Sequence, residues 1–288
     1  MTSGGNGQPQ RFVALTGAGR GIGEATARAL RAAGYTVLAG VREPPAASAG
    51  PEPGAVHYLR LDLADCRSIE RYADAAEEMA AGSLAALINN AGVGALGPAE
   101  EFPVQRARQV FEVNLWGAVR LIQRLLPLLR AHAGRGASAH LLNIGSLIAE
   151  YPVPYHAVYA ASKGALRAYS LALRGELWEH GVAVVLLEPG DIATRITPLR
   201  SGAAGPAYRA GFARVEAART RKMATASTPE SVARRVLQVL ATRRPPPIVA
   251  CGSAAPALRL VRRLLPDRLA QILTLRSYGL RHHDHGGR

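Results

Sequence analysis

A glycine-rich turn between a predicted strand and a predicted helix is the feature that most restricts the fold of this chain. Residues 11–16, R-F-V-A-L-T, are an apolar run typical of a buried strand, and T-G-A-G-R-G-I-G covers residues 16–23. A helical pattern then extends from Glu24 to Ala33. Glycines in this context let the backbone turn tightly and approach a pyrophosphate, which lies where the free N–H groups of the helix start point outward. A glycine turn without a ligand is the alternative.

Short apolar runs and helical patterns alternate along the rest of the chain. Strands are predicted at 36–42, 57–61, 84–88, 140–144, 182–187 and 248–251, and helices at 66–81, 103–132, from about 159 to 180, and at 229–242. The helix at 103–132 is expected to bend near Pro127, because proline lacks the N–H that a helix needs. The alternation predicts an α/β protein with a single-domain Rossmann fold: a doubly wound, seven-stranded parallel sheet with helices on both faces.

The chain is expected to divide into three parts. Residues 1–10 are polar and glycine-rich and are predicted to be a flexible lead-in, residues 11–252 the dinucleotide-binding and catalytic domain, and residues 253–288 a C-terminal extension. No apolar run reaches the ~18 residues of a membrane span, and no apolar signal segment opens the chain. Two cysteines, Cys66 and Cys251, make neither a disulfide framework nor a metal cluster. A cytoplasmic protein without a metal is expected.

The positive charge is concentrated in the last third of the chain. Residues 1–199 carry 18 basic and 17 acidic side chains, whereas residues 200–288 carry 17 and 4. Nucleic acid is not expected as a partner, since no nucleic-acid motif or aromatic platform accompanies this charge. The extension instead shows leucine, isoleucine and valine at helical spacing between arginines, in two short helices divided by Pro266. It either contacts an anionic membrane surface peripherally or packs on the sheet or on a partner subunit.

A serine, a tyrosine and a lysine form the candidate catalytic group. Tyr159 and Lys163 are four residues apart, so both side chains lie on one face of a helix. A neighbouring ammonium is expected to lower the tyrosine pKa and to make the phenol a general acid/base near neutral pH. Ser146 ends the strand predicted at 140–144. A substrate carbonyl oxygen could lie between Ser146 and Tyr159.

The adenosine end of the predicted site favours NADP(H) over NAD(H). An acidic residue at the end of the second strand would bind ribose hydroxyls, but Val41 and Arg42 stand there, with Arg20 nearby in the glycine loop. Guanidinium groups suit a 2′-phosphate. The alternative is that Arg42 is a solvated loop charge. Asp62, at the end of the third strand, either accepts from the adenine amino group or caps the next helix.

The segment after the sixth strand is predicted to shape the substrate site. Glu188-Pro189-Gly190 opens the backbone where a parallel sheet binds its ligand. Residues 195–228 lack strand signals and contain several glycines, which predicts a mobile, partly helical flap. Tyr208 and Phe212 are its expected apolar contacts.

Together these motifs resemble the short-chain dehydrogenase/reductase family over about residues 11–251. The resemblance rests on motifs at family spacing: T-G-A-G-R-G-I-G, D-L at 62–63, N-N-A-G at 89–92, N-L-W-G at 114–117, Ser146, Y-A-A-S-K at 159–163 and P-G-D-I-A-T at 189–194. The sequence A-G-V-G-A-L-G-P-A-E-E-F and the V-R after the second strand are most similar to the 17β-hydroxysteroid and retinol dehydrogenase branch.

This resemblance implies a role for each matching residue. Tyr159 would exchange a proton with the substrate oxygen, which Ser146 would also bind. Lys163 would lower the tyrosine pKa and bind the nicotinamide ribose, and Asn114 would hold a water of the proton relay. The remaining implied contacts, all to the cofactor, are Gly17, Gly21, Ile22 and Gly23 at the pyrophosphate, Asp62 and Leu63 at the adenine, Asn90 and Gly92 at a ribose, and Pro189, Ile192 and Thr194 at the nicotinamide.

The expected function is therefore an NADP(H)-dependent oxidoreductase that interconverts an alcohol and a ketone or aldehyde on a lipophilic substrate. Relatives commonly pair through the helices around Asn114 and Tyr159, so a homodimer or homotetramer is expected. A protein that senses the cofactor without turnover, or one that binds an anionic surface, is the alternative on the same fold.

Overall fold

The computed structural model describes residues 10–45, 54–194, 198–252 and 264–280. A seven-stranded parallel sheet forms its centre, in the order β3-β2-β1-β4-β6-β7-β9. The strands are β1 (Phe12–Thr16), β2 (Thr36–Val41), β3 (Val56–Arg60), β4 (Ala86–Asn89), β6 (Ala139–Ile144), β7 (Val182–Pro189) and β9 (Ile248–Cys251). The order reverses direction between β1 and β4, and an open parallel sheet binds its ligand at the carboxyl ends of the strands beside such a point.

Helices cover both faces of this sheet. They are α1 (Gly21–Ala32), α2 (Cys66–Met79), α3 (Val104–Phe111), α4 (Gly117–Gly134), α5 (Ala157–Glu176), α6 (Pro206–Ala224), α7 (Pro229–Leu240) and α8 (Asp267–Ser277). Alternation along the strands sends successive apolar side chains to opposite faces. Val13 and Leu15 of β1 pack in the cluster that includes α1 and α7, whereas Ala14 packs in the cluster with α2, α4 and α5. The predicted doubly wound fold is confirmed.

The predicted helix at 103–132 differs from the structure at its centre. The helical segment is continuous from Val104 to Gly134, but Glu112–Trp116 is a π-helical turn between α3 and α4. Pro127 lies inside α4, and the helix continues past it. A departure from α-helical geometry therefore lies at the turn that contains Asn114, whereas the bend near Pro127 stays a prediction. Single π-helical turns of this kind often occur at functional sites.

The region predicted as a mobile, partly helical flap contains a long helix and a short strand. The prediction that residues 195–228 contain no strand is wrong, because Leu199–Arg200 (β8) pairs in parallel with Ala95–Leu96 (β5). The 19-residue helix α6 follows. Backbone N–H of Gly205 donates to both carboxylate oxygens of Glu101, at 3.2 and 3.0 Å, and this holds the start of α6 to the preceding loop. Residues 195–197 lie outside the described residues.

The described part of the C-terminal extension is one helix and its end. Helix α8 begins after Pro266, as predicted, while the helix expected before Pro266 lies mostly outside the described residues. Tyr278 packs against Val215 and Ala218 of α6, and the Lys222 ammonium lies 4.0 Å from the centre of its ring. The described end of the extension is therefore packed on α6. Over the described ranges, none of the helices has the length and apolar character needed to cross a membrane.

Candidate active site

The glycine loop between β1 and α1 is shaped by very close backbone contacts. A Cβ at Gly23 would lie 2.0 Å from the Gly17 carbonyl oxygen, so only glycine fits there. Gly17 and Gly21 have φ values of +69° and +57°, in the region that favours glycine. No side chain caps the first N–H groups of α1. These N–H groups are therefore directed at the cleft above the sheet and can bind an anion.

Thr16 and Asn90 hold the glycine loop against the end of β4. The Thr16 hydroxyl accepts hydrogen bonds from the backbone N–H groups of Asn90 and Ala91, both at 2.9 Å. The Asn90 side-chain amide donates to the Thr16 carbonyl at 2.9 Å and to the Gly17 carbonyl at 3.2 Å. Both backbone segments are thus fixed beside each other. The Asn90 side chain therefore fixes the position of the glycine loop that lines the cleft.

One cleft of about 530 Å³ at the carboxyl ends of the strands contains nearly all of the predicted site residues. The size is within the range of small-molecule and cofactor sites. The predicted residues that line it are Gly17, Arg20, Gly21, Ile22, Gly23, Arg42, Asp62, Leu63, Asn90, Gly92, Ser146, Tyr159, Lys163, Pro189, Ile192 and Thr194. Asn114 is the exception, since it is 1% exposed and lies behind the lining.

Ser146 and Tyr159 meet at one end of this cleft. Ser146 follows β6, and its hydroxyl accepts from the Ile148 N–H at 3.3 Å. Burial raises the pKa of the Tyr159 phenol, and a side-chain hydrogen bond with Ser146 lowers it by a smaller amount. The predicted fall in the tyrosine pKa under the influence of Lys163 is therefore wrong for this structure. Burial dominates, and the phenol is a proton donor at neutral pH.

Lys163 is a buried cation that donates one hydrogen bond within the described part of the chain. Its Nζ donates to the Ile144 carbonyl at 2.8 Å, and desolvation lowers the pKa of the ammonium to about 8. Since a Cβ on Gly92 would lie 3.5 Å from this Nζ, the ammonium closely approaches the backbone after β4. The ammonium thus lies between two strand ends, and its proton can leave near neutral pH.

Asn114 connects the helix on which it lies with the loop that follows β4. Its Oδ1 accepts from the Val93 N–H at 2.8 Å, and its Nδ2 donates to the Val93 carbonyl at 2.9 Å and to Ser162 Oγ at 3.0 Å. Ser162 Oγ donates in turn to the Tyr159 carbonyl at 2.8 Å. The π-helical turn thereby joins the cleft floor to the helix that carries Tyr159 and Lys163.

The adenosine end of the cleft carries two exposed arginines. Arg20 precedes α1 and Arg42 follows β2, and both line the cleft together with Glu43. Asp62 Oδ1 accepts from the Ala64 N–H at 3.0 Å, whereas the N-terminal cap of α2 is Asp65. Of the two roles considered for Asp62, capping of the next helix thus belongs to Asp65. The Asp62 carboxylate belongs to a turn at the cleft edge.

An arginine that pairs with two glutamates lies near the catalytic residues, and the sequence patterns did not indicate this cluster. Arg167, one turn after Lys163, forms ion pairs with Glu150, at 2.5 Å, and with Glu188. Glu188 is fully buried at the end of β7. The three residues connect the loop after Ser146, helix α5 and the strand that leads to Pro189. A glutamate that ends an apolar strand was the available signal, because a buried carboxylate requires a cationic or hydrogen-bonding partner.

Buried amides form a second group that the sequence analysis missed. Asn89 Nδ2 donates to Asn143 Oδ1 at 2.9 Å across β4 and β6. Asn143 Nδ2 donates to Ser170 Oγ on α5 at 2.8 Å. This chain of hydrogen bonds fixes α5 over the two central strands, and thereby the height of Tyr159 and Lys163 above the sheet.

Apolar and aromatic side chains pack around Tyr159 and around Tyr155 in the loop that precedes α5. Its ring packs in the cluster that contains Val93, Val158 and Leu199. Tyr155, which has a φ of +65°, contacts Phe212 of α6 edge-on, with the ring centres 5.4 Å apart, and Tyr208 at 6.5 Å. The expectation that Tyr208 and Phe212 are apolar contacts is confirmed. Helix α6 and the loop after Ser146 are thus packed against each other.

The residues of the cleft fit a nicotinamide dinucleotide. The uncapped start of α1 and the close approach at Gly17 and Gly23 leave room for a pyrophosphate that no larger residue would allow. At the other end, Ser146, Tyr159 and Lys163 border the same space as Pro189 and Thr194. Fold and site together define the class of NAD(P)-dependent oxidoreductases.

The comparisons with known proteins agree with this class. The family model of the short chain dehydrogenases matches residues 11–203, and the chain belongs to this family. The chain is 38% identical to an uncharacterized oxidoreductase of Escherichia coli, YbbO, over 65% of this chain and 68% of the relative. It is 35% identical to the NADPH-dependent 3-dehydrocapnine reductase of Ornithobacterium rhinotracheale, over 65% and 67%. Estradiol 17-beta-dehydrogenase 2 of Mus musculus, also 35% identical, matches over 65% of this chain and 50% of its own length.

Solved structures show the same fold over nearly the whole chain. A short-chain dehydrogenase from Streptomyces avermitilis superposes with a TM-score of 0.75 at 28% identity, covering 94% of this chain and 98% of that one. A short chain dehydrogenase from Burkholderia cenocepacia in complex with NADP gives 0.68 at 25% identity, over 92% and 97%.

Proposed function

We propose that this protein is an NADPH-dependent reductase of a ketone or aldehyde on a lipophilic substrate, with Tyr159 as the general acid. The observation that carries the proposal is that Ser146, Tyr159 and Lys163 border the same cleft as the glycine loop. The dinucleotide and the proton donor would thus act on one bound molecule. The same residues can run the reverse reaction on an alcohol.

The chemistry that bound NADPH supplies is a hydride for the carbonyl carbon of the substrate. Tyr159 donates its phenolic proton to the carbonyl oxygen as negative charge develops there, and the Ser146 hydroxyl donates a hydrogen bond to the same oxygen. Burial keeps the Tyr159 pKa above its usual value, so the phenol is protonated before the reaction. Lys163 would bind the nicotinamide ribose and, with a pKa of about 8, return a proton toward Tyr159 through a water. Asn114 would hold this water through an acceptor atom, because both hydrogens of its side-chain amide go to Val93 and Ser162.

The preference for NADPH over NADH is proposed from the two arginines at the adenosine end. Arg20 and Arg42 line the cleft where the 2′-phosphate of the cofactor would lie, and charge-assisted hydrogen bonds from guanidinium groups are strong. Glu43, which lines the same end, opposes a phosphate in part. The NADPH-dependent relative and the NADP complex of a neighbour support the preference.

A lipophilic substrate is proposed from the side chains around Tyr159. Val93, Val158 and Leu199 pack with its ring, and Tyr155, Tyr208 and Phe212 form the next layer. A substrate that covers the partly exposed side chains among them gains free energy in proportion to the apolar area that it removes from water. The names of the estradiol, 3-dehydrocapnine and 1-acyldihydroxyacetone phosphate enzymes among the relatives support a steroid-like or lipid-like compound.

The assembly and location are proposed from exposed apolar side chains. Trp116 on the π-helical turn is 51% exposed, Trp178 just after α5 is 71% exposed, and Leu171 on α5 is 38% exposed. We propose that these faces pair in a homodimer or homotetramer, which sedimentation of the wild type and of Trp116→Arg would test. A cytoplasmic location is proposed, with peripheral contact between the C-terminal extension and an anionic membrane.

The experiment that tests the reductase is turnover with a panel of steroid ketones, retinals and long-chain acyl ketones, followed by the loss of NADPH absorbance. Wild type should reduce at least one class, and Tyr159→Phe none of them. Binding of NADPH without turnover of any compound would favour the cofactor-sensing alternative. Equal turnover by Tyr159→Phe would disprove the assigned acid.

A further inference from the structure

An open groove of about 740 Å³ lies between α6 and the end of α8, apart from the dinucleotide cleft. Arg214 and Arg221 line it from α6, and their seven-residue spacing puts both side chains on one face of that helix. Arg276 lines it from the last turn of α8. The other described residues of its wall are Ala217, Gly279 and Leu280, so no carboxylate lines it. The groove therefore presents three positive charges to whatever enters.

Packing and backbone bonds fix the geometry of this groove. The N–H groups of Gly279 and Leu280 donate to the carbonyls of Arg276 and Leu275, both at 3.0 Å, and Gly279 has a φ of +70°. This glycine-capped end satisfies the last carbonyl groups of α8. Tyr278 is buried against α6. The arginine side chains are therefore not needed to satisfy the helix end, and within the described ranges none of the three guanidinium groups makes a hydrogen bond or an ion pair.

Exposed leucines lie on and just before α8, the helix that contributes Arg276 to the groove. Leu269 and Leu273 are 48% and 52% exposed, and Leu264 just before the helix is 76% exposed. The spacing of Leu269, Leu273 and Arg276, by four and three residues, puts all three on one face of α8. Exposed apolar side chains thus share one face of α8 with one of the three guanidinium groups of the groove. A soluble anion would contact only the arginines, whereas a lipid would contact the arginines with its phosphate and the leucines with its acyl chains.

We propose that the groove binds the phosphate head group of an anionic lipid in a membrane surface, with Leu264, Leu269 and Leu273 in the acyl-chain region. The inference rests on the proposed peripheral membrane contact and gives that contact a site. Guanidinium groups bind phosphate oxygens in pairs of parallel hydrogen bonds, and a basic helix with one apolar face suits the interface of a bilayer. The lipid would hold α8, and α6 beneath it, against the membrane from which a lipophilic substrate arrives.

The test is sedimentation of the full chain with phosphatidylcholine vesicles, with and without phosphatidic acid. Wild type should bind only vesicles that contain phosphatidic acid. The variant Arg214→Gln/Arg221→Gln/Arg276→Gln should bind them roughly 100-fold more weakly, from the loss of three arginine contacts with anionic lipid. The matched control, Arg130→Gln/Arg243→Gln/Arg244→Gln, removes the same charge from exposed positions on other elements and should bind nearly as wild type. Equal weakening of both variants would overturn the groove and leave only a diffuse attraction.

Two further measurements distinguish a lipid head group from a free phosphate compound, and failure of the membrane proposal from failure of the reductase proposal. Leu269→Ser/Leu273→Ser should lose vesicle binding but keep its affinity for monomeric dihexanoyl phosphatidic acid in calorimetry. If this variant binds vesicles as wild type does, the leucines do not enter the acyl-chain region, and that part of the proposal is wrong. NADPH affinity, measured by fluorescence, should be unchanged in all variants, which shows that they fold. If wild type binds no vesicle but still binds NADPH and reduces substrate, the membrane contact is refuted. The proposed reductase activity is not affected by that result.

Discussion

The ammonium of Lys163 donates a 2.8 Å hydrogen bond to the carbonyl oxygen of Ile144, the last residue of the strand that precedes Ser146. A side chain of helix α5 thus holds the strand end from which the loop with Ser146 begins. Because this ammonium is buried, folding disfavours its charged form and lowers its pKa to about 8. The free enzyme therefore carries a destabilising charge at its catalytic end.

This charge predicts a pH dependence of stability. Between pH 8 and the unfolded value of 10.5 the unfolded chain binds a proton at Lys163 that the native protein has released, so the free energy of unfolding rises with pH. The shift corresponds to on the order of 3 kcal/mol across this window. Urea unfolding of wild type and Lys163→Met at pH 7 and pH 10 measures the effect. The increase should be smaller in Lys163→Met by that amount, and equal increases would refute the assignment.

Tyr159→Phe should reduce turnover by about 10²–10⁴-fold, because the substitution removes only the oxygen that donates the proton. NADPH affinity should change little, since the ring and its packing with Val93 and Val158 remain. Steady-state kinetics and NADPH fluorescence together check the prediction. Tyr169→Phe, a half-buried tyrosine on the same helix, is the matched control and should retain wild-type turnover.

Arg42→Asp should erase or reverse a preference for NADPH. The change replaces a guanidinium at the adenosine end by a group that repels the 2′-phosphate and accepts from ribose hydroxyls. A charge-assisted hydrogen bond contributes about 1.5–3 kcal/mol, so the ratio of the two affinities should shift by about ten- to a hundredfold. Titration calorimetry with both cofactors measures it, and Arg31→Asp on the exposed side of α1 is the control. Equal affinities in the wild type would contradict the preference itself.

The alternation of apolar runs and helical patterns was sufficient to predict the sheet, its seven strands and the cleft at their carboxyl ends. Local motifs such as the glycine loop and Tyr159–Lys163 carry their own spacing, so their positions followed from the sequence. All predicted site residues except Asn114 line one cleft. Asn114 lies behind it, and its bonds to Val93 depend on a π-helical turn that no pattern of apolar residues indicates.

Interactions between distant segments could not be predicted in the same way. Arg167 pairs with Glu150 and Glu188, which are 17 and 21 residues away and on different elements. Residues at such separations follow no helical or strand repeat. Because many arginines in this chain are exposed, the sequence does not show which of them is paired. The Tyr159 pKa was predicted in the wrong direction for a related reason. The charge of Lys163 was evident from the sequence, whereas the burial that outweighs it depends on tertiary packing.

Arg167→Met should lower the free energy of unfolding by about 3–5 kcal/mol, because it takes the guanidinium from the fully buried Glu188 carboxylate. Adding Glu188→Gln should recover part of this loss, since the amide carries no charge. Urea unfolding of the two single variants and the double variant forms a mutant cycle. Strictly additive effects would show that Arg167 and Glu188 are not coupled in the native protein.

Gly23→Ala should abolish dinucleotide binding and destabilise the fold. The new methyl group would lie 2.0 Å from the Gly17 carbonyl oxygen and 2.6 Å from Asn90 Nδ2, so either the glycine loop or the end of β4 must move. Gly175→Ala is the matched control, because α5 leaves open space around the position and alanine is the better helix former by roughly 0.5–1 kcal/mol. Thermal unfolding and NADPH fluorescence of both variants check the prediction. If Gly23→Ala kept wild-type NADPH affinity, the close contact between α1 and the glycine loop would not be what shapes the pyrophosphate site.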